Sequence, residues 1–73
     1  MEDEKLLVVA RLINGHLIFQ TRMTKTQATR LRIEWMNNRQ PAVRVMTEGG
    51  EIVLRRWLMN RCTLEILNPE VQP

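Results

Sequence analysis

Serine and tyrosine are absent from this 73-residue chain, and aspartate, histidine and cysteine occur once each, as Asp3, His16 and Cys62. Without serine no Ser-His-Asp relay can be assembled. A single cysteine closes no intramolecular disulfide and suits a reducing compartment. His16 and Cys62, the only soft ligands, stand far apart in sequence, so neither a metal site nor a cofactor is expected. The longest apolar run, Leu6 to Ala10, falls well short of the ~20 residues a helix needs to cross a bilayer. The start, Met1-Glu2-Asp3-Glu4, is acidic where a secretory signal carries positive charge. The expectation is a cytoplasmic protein with no membrane partner.

Aromatic rings are scarce too. Phe19, Trp35 and Trp57 are the only three. A sheet that binds single strands by stacking bases normally shows more outward rings than that. Paired carboxylates for general acid–base catalysis are also missing, and Gly49-Gly50 lacks the Lys-Ser/Thr of a phosphate-binding loop. No enzymatic activity is expected. His16 reads as a residue flanking a turn, and Cys62 as a packing thiol.

Charge is what the chain does carry. Of eight acids, Glu2, Asp3, Glu4 and Glu70 lie in the end segments, leaving Glu34, Glu48, Glu51 and Glu65 in the body from Lys5 to Asn68. All eleven bases lie in that body, giving it a net +7, and nine of them are arginine. Such a surface favours anionic partners: nucleic acid, a nucleotide or an acidic protein surface. The plain alternative is a solvated basic surface with no ligand. Seventy-three residues make one domain, with an ordered body over about 5–68. A chain this short buries only about 60% of its unfolded surface. With disulfides and metals excluded, association into a homo-oligomer, most simply a dimer, is the remaining source of stability.

Leu6 to Ile13 and His16 to Arg22 read as two strands around Asn14-Gly15, a strong hairpin signal. A two-residue turn pairs residues whose numbers sum to 29. One face then holds Leu6, Val8, Ala10 and Leu12 with Leu17, Phe19 and Thr21, and is expected core. The other holds Leu7, Val9, Arg11 and Ile13 with His16, Ile18, Gln20 and Arg22. A half-apolar, half-basic face of that kind is expected to be covered by another chain or a ligand, the plain alternative being partial cover by the short tail or another strand. Thr24 and Gln27 form a capping box, opening a helix to about Asn38. Its core stripe is Ala28, Leu31 and Trp35. Arg30 and Glu34 pair at four-residue spacing on its wet side, Ile33 and Met36 occupy a third side, and Arg32 lies between. Ala42 to Thr47 and Ile52 to Arg56 are the third and fourth strands. A loop spanning Glu48 to Glu51 pairs residues summing to 99, setting Arg44 opposite Arg55. Trp57 to Asn60 is a turn or helical loop, and Arg61 to Leu67 the last strand. The fold class is α+β: a mainly antiparallel sheet of about five strands with one helix packed on it, in the order ββαβββ.

Opposed guanidiniums need a counter-charge. Arg44 and Arg55, with Arg56, Arg61 and Arg32 near, are therefore the candidate phosphate site, with Glu65 as the structural alternative. Leu7, Val9, Arg11, Ile18, Ile33 and Met36 are the candidate oligomer or partner interface. The expected function is a small non-enzymatic binding module for a phosphate-bearing ligand, regulatory or sequestering. The alternative is an adaptor or inhibitor that docks a partner through exposed apolar residues on the first hairpin and the helix. The local signals recur in many folds and name no family.

Overall fold

A computed structural model describes residues 5–68. The expected fraying of the two ends concerns segments outside those residues. Five strands and two helices follow in order: β1 Lys5–Leu12, β2 Leu17–Thr24, α1 Lys25–Met36, β3 Ala42–Thr47, β4 Gly50–Arg55, α2 Arg56–Met59 and β5 Cys62–Leu67. The class is α+β in the expected order, with the Trp57 region resolved as the single turn α2. The strands divide between a three-stranded antiparallel sheet, β2-β1-β5, and the hairpin β3-β4. β3 runs beside β2 without joining its ladder, and α2 touches both β4 and β5. The two sheets therefore curl around one core, built on Val8, Ala10, Phe19, Leu31, Trp35, Val43, Val45, Leu54 and Met59.

The first hairpin keeps the expected pairing from Lys5↔Thr24 to Ala10↔Phe19 and then slips, so that Arg11 meets Leu17. Asn14-Gly15 does not form a two-residue turn. The type I′ turn that Asn-Gly favours needs positive φ at both central residues, and only Gly15 adopts it, at +95°. The loop is Ile13-Asn14-Gly15, closed by Gly15 N–H to the Leu12 carbonyl at 2.7 Å and Leu12 N–H to the His16 carbonyl at 2.8 Å. The extra residue is a bulge at Ile18. A one-residue slip exchanges the faces of a strand. Ile18 accordingly packs against the core, while Leu17, expected inside, is 46% exposed. Ile18 thus leaves the candidate interface.

Val9 leaves it as well. It is only 3% exposed, because β5 pairs along the free edge of β1 and sets Glu65 on one side of Val9, with Gln20 on the other. At Val9 the cover comes from another strand of the same chain, the alternative to a second chain or a ligand.

In the second hairpin the residue numbers sum to 97, with Val43↔Leu54, Arg44↔Val53 and Thr47↔Gly50. The loop is Glu48-Gly49 alone. Thr47 Oγ1 accepts from Gly49 N–H at 3.2 Å and donates to the Gly50 carbonyl at 2.8 Å, which tightens it, and Gly50 takes φ +118°. A slip of two preserves the faces, so Val43, Val45 and Leu54 are buried as expected. It does separate the arginines: Arg44 faces Val53, and Arg55 faces Ala42.

Both halves of the capping box form. Thr24 Oγ1 accepts from Gln27 N–H at 3.2 Å, and Gln27 Oε1 accepts from Thr24 N–H at 3.0 Å. Removing the hydroxyl in Thr24→Ala is expected to cost about 1 kcal/mol, a fall in Tm of roughly 4–8 °C for a domain of this size; thermal melts of the two proteins check this. The helix ends two residues earlier than expected, at Met36, with Asn37 as C-cap. Ala28, Leu31 and Trp35 are its buried stripe.

Candidate anion-binding cleft

The five arginines that sequence groups into one site go to separate places. Arg56 turns inward at the start of α2. Its Nε donates to the Gln40 carbonyl at 3.0 Å, Nη1 to Trp35 at 2.7 Å, and Nη2 to Glu34 at 3.1 Å and Asn37 at 2.7 Å. Four of its five N–H donors are thereby committed to carbonyls at the end of α1 and in the linker after it. Arg56 fastens the end of α1 to the linker and α2. Arg44 and Arg55 remain exposed on the outer face of β3-β4, one diagonal step apart. Arg61 is exposed at the entrance to β5, where its carbonyl accepts from Ile13 N–H at 3.1 Å. Arg32 lies on the opposite side of α1, lining a groove with Trp35, Met36, Leu64 and Ile66. Glu65 sits beside Val9 on the three-stranded sheet and forms no ion pair with either arginine.

What the fold does assemble is a different cationic group. The first turns of α1 face the open ends of β1 and β2 and the middle of β3 across a cleft of about 470 Å³. Lys5, Arg22, Arg30 and Arg44 line it, with Glu34 as the single carboxylate. Met23, Leu31 and Val45 form its floor, and all three are buried. A shallower groove continues along α1 past Lys25, Thr29 and Ile33, and shares Thr26, Arg30 and Glu34 with the cleft. Among the described residues, none of these cations forms an ion pair or a side-chain hydrogen bond. The expected Arg30–Glu34 pair is not made. The first turn of α1 contains no acid, so no carboxylate of its own offsets the positive end of the helix dipole.

Of the residues in the cleft, only Arg44 belongs to the expected site. Lys5 and Arg22 were within reach of sequence reasoning, because the first-hairpin register places Lys5 opposite the helix cap Thr24. Arg30 lay on the wet face of the helix. What no local pattern supplies is the approach of β3, which brings Arg44 to the other three.

Cys62 is half-buried, and that burial pushes its thiol pKa up. A protonated, partly covered thiol is a poor nucleophile. Among the described residues no group of three His, Cys, Asp or Glu is arranged to hold a metal ion, and no helix is long and apolar enough to cross a membrane. No family model, curated protein or solved structure matches the chain.

Proposed function

We propose that this chain is a small non-enzymatic binding module for a phosphate-bearing ligand, nucleic acid or nucleotide, with a regulatory or sequestering role. The ligand occupies the cleft between α1, β2 and β3. The observation that carries this reading is the cleft itself: four cations, one carboxylate and no internal counter-ion among the described residues. Guanidiniums left in that condition are suited to bidentate contact with phosphate oxygens. Arg55 and Arg61 add to the surrounding field, and Arg56 supports the cleft by fixing the far end of α1.

Charge reversal tests the site. Arg44→Glu is expected to lower affinity for a labelled oligonucleotide or a nucleoside triphosphate at least tenfold at low salt. Its melting temperature should stay within about 2–3 °C of the parent, as for most exposed substitutions. Unchanged binding would remove the cleft from this reading.

The module is read as a homo-oligomer. Ile33 and Met36 are 64% and 70% exposed on α1, and Met36 borders the apolar groove over Leu64 and Ile66. These residues, with the half-buried Leu7 and the exposed Arg11, make up the interface that is left without Val9 and Ile18. Light scattering at high micromolar concentration checks this, and a species of 8.7 kDa would exclude it.

One observation favours the adaptor reading instead. Met46 and Val53 are exposed on the outer face of β3-β4, and Trp57 is 61% exposed just beyond it. Exposed Trp, Met and Arg are typical anchors of protein interfaces. Apolar docking tolerates salt, whereas phosphate binding weakens steeply with it.

A further inference from the structure

The shape of the α1 groove narrows the class of ligand, on the anion-binding reading above. A single nucleotide is normally held in a concave pocket that buries most of its surface and offers its base an apolar or aromatic slot. Here the cleft opens into the shallower groove along α1, sharing Thr26, Arg30 and Glu34 with it. The cations are strung out instead of focused: Lys25 at the start of α1, Arg30 further along it, Lys5 and Arg22 at the strand ends, and Arg44 on β3. No ring lines either groove. Phe19 and Trp35 are buried in the core, and Trp57 lines neither groove. Single-strand binders depend on such rings, with each stacked base contributing ~1–3 kcal/mol.

We infer that the ligand is a nucleic-acid duplex, held along α1 by its phosphates and without regard to base sequence. The dimensions agree. Twelve helical residues span ~18 Å at ~1.5 Å per residue, and each strand of a duplex presents one phosphate per ~3.4 Å of axis. Several phosphates of one strand therefore lie within reach of the five cations. Glu34 stands among them, where its carboxylate repels the same phosphates and limits affinity. Only its backbone carbonyl serves Arg56, so Glu34→Gln removes the charge without disturbing that bond.

The test is fluorescence polarisation on the full chain across a range of salt. The probes are two labelled duplexes of unrelated sequence, their separate single strands and a nucleoside triphosphate. The two duplexes are expected to bind within about twofold of each other and more tightly than the other probes. With three to five phosphates neutralised per subunit, log K should fall with log salt at a slope of roughly −3 to −4.5. Glu34→Gln should tighten duplex binding severalfold, and Arg30→Ala should weaken it and reduce the slope by about 1. Equal or tighter binding of the nucleotide or the single strands, or a tenfold preference between the duplexes, overturns the duplex inference and leaves the anion site standing. Duplex binding that ignores both Glu34→Gln and Arg30→Ala overturns the placement along α1. Failure of every probe to bind at low salt overturns the anion-binding reading together with this one.

Discussion

Trp35→Ala is expected to leave the chain largely unfolded at body temperature. Trp35 is 8% exposed and joins Ala28 and Leu31 in the stripe that α1 turns toward the core. No other aromatic serves this position; Phe19, the other buried ring, sits on β2. Truncating a buried tryptophan to alanine costs ~3–5 kcal/mol through lost transfer energy and the cavity left behind. Domains hold about 0.05–0.15 kcal/mol of stability per residue, so for a chain this short that loss consumes a large part of the total. The check is a thermal melt followed by far-UV circular dichroism, with Trp57→Ala as control. Trp57 is 61% exposed, and its removal should change stability by no more than about 0.5 kcal/mol. Fluorescence separates the two rings as well: the blue-shifted emission belongs to Trp35 and should survive Trp57→Ala. A Trp35→Ala protein melting within a few degrees of the parent would show that α1 is not anchored by this side chain.

The parts of this fold that were legible in the sequence are those fixed by neighbours in the chain. Alternation located all five strands, the 3.6-residue period chose Ala28, Leu31 and Trp35 as the buried stripe, and the Thr24–Gln27 capping box fixed the start of α1. The register errors have a common source in the turns. Turn geometry depends on which residues accept positive φ, and in each hairpin a single glycine does so, Gly15 inside the first loop and Gly50 at the start of β4 in the second. The first error moved Ile18 inward and Leu17 outward; the second parted Arg44 from Arg55. The remaining differences come from contacts distant in sequence. β5 returns to the edge of β1 and covers Val9, and β3 approaches α1 and brings Arg44 to Arg30. Adjacent residues show how little the bare sequence says about an arginine's task. Arg55 ends β4 pointing to solvent, while Arg56 begins α2 and reaches into the end of α1.

Arg56→Ala is expected to destabilise the protein by about 2–4 kcal/mol, the range for breaking a partly buried, charge-assisted hydrogen-bond group. The last turn of a helix leaves four carbonyls without intrahelical partners. α1 has no basic residue of its own in that turn, and its negative dipole end attracts a cation from elsewhere. Arg56 supplies it from 19 to 22 positions away, binding Glu34, Trp35 and Asn37 at once, and its Nε holds Gln40 in the linker. Its own N–H donates to the Pro41 carbonyl at 2.8 Å, so one residue joins α1, the linker and α2. Alanine would leave the Trp35 and Gln40 carbonyls to find water in a region that the fold partly covers, while those of Glu34 and Asn37 would keep only the backbone N–H groups of Asn37 and Gln40. Lysine keeps the charge but presents a compact ammonium in place of a planar fork, so Arg56→Lys should recover only part of the loss. Thermal melts should rank the proteins parent, Arg56→Lys, Arg56→Ala, with the alanine variant on the order of 10–20 °C below the parent. Affinity for an anionic probe, measured well below both melting points, should change little, since four of the five donors are already engaged by carbonyls. The opposite pattern, an unchanged melting temperature with a large loss of binding, would return Arg56 to the ligand site where its sequence neighbourhood first suggested it belonged.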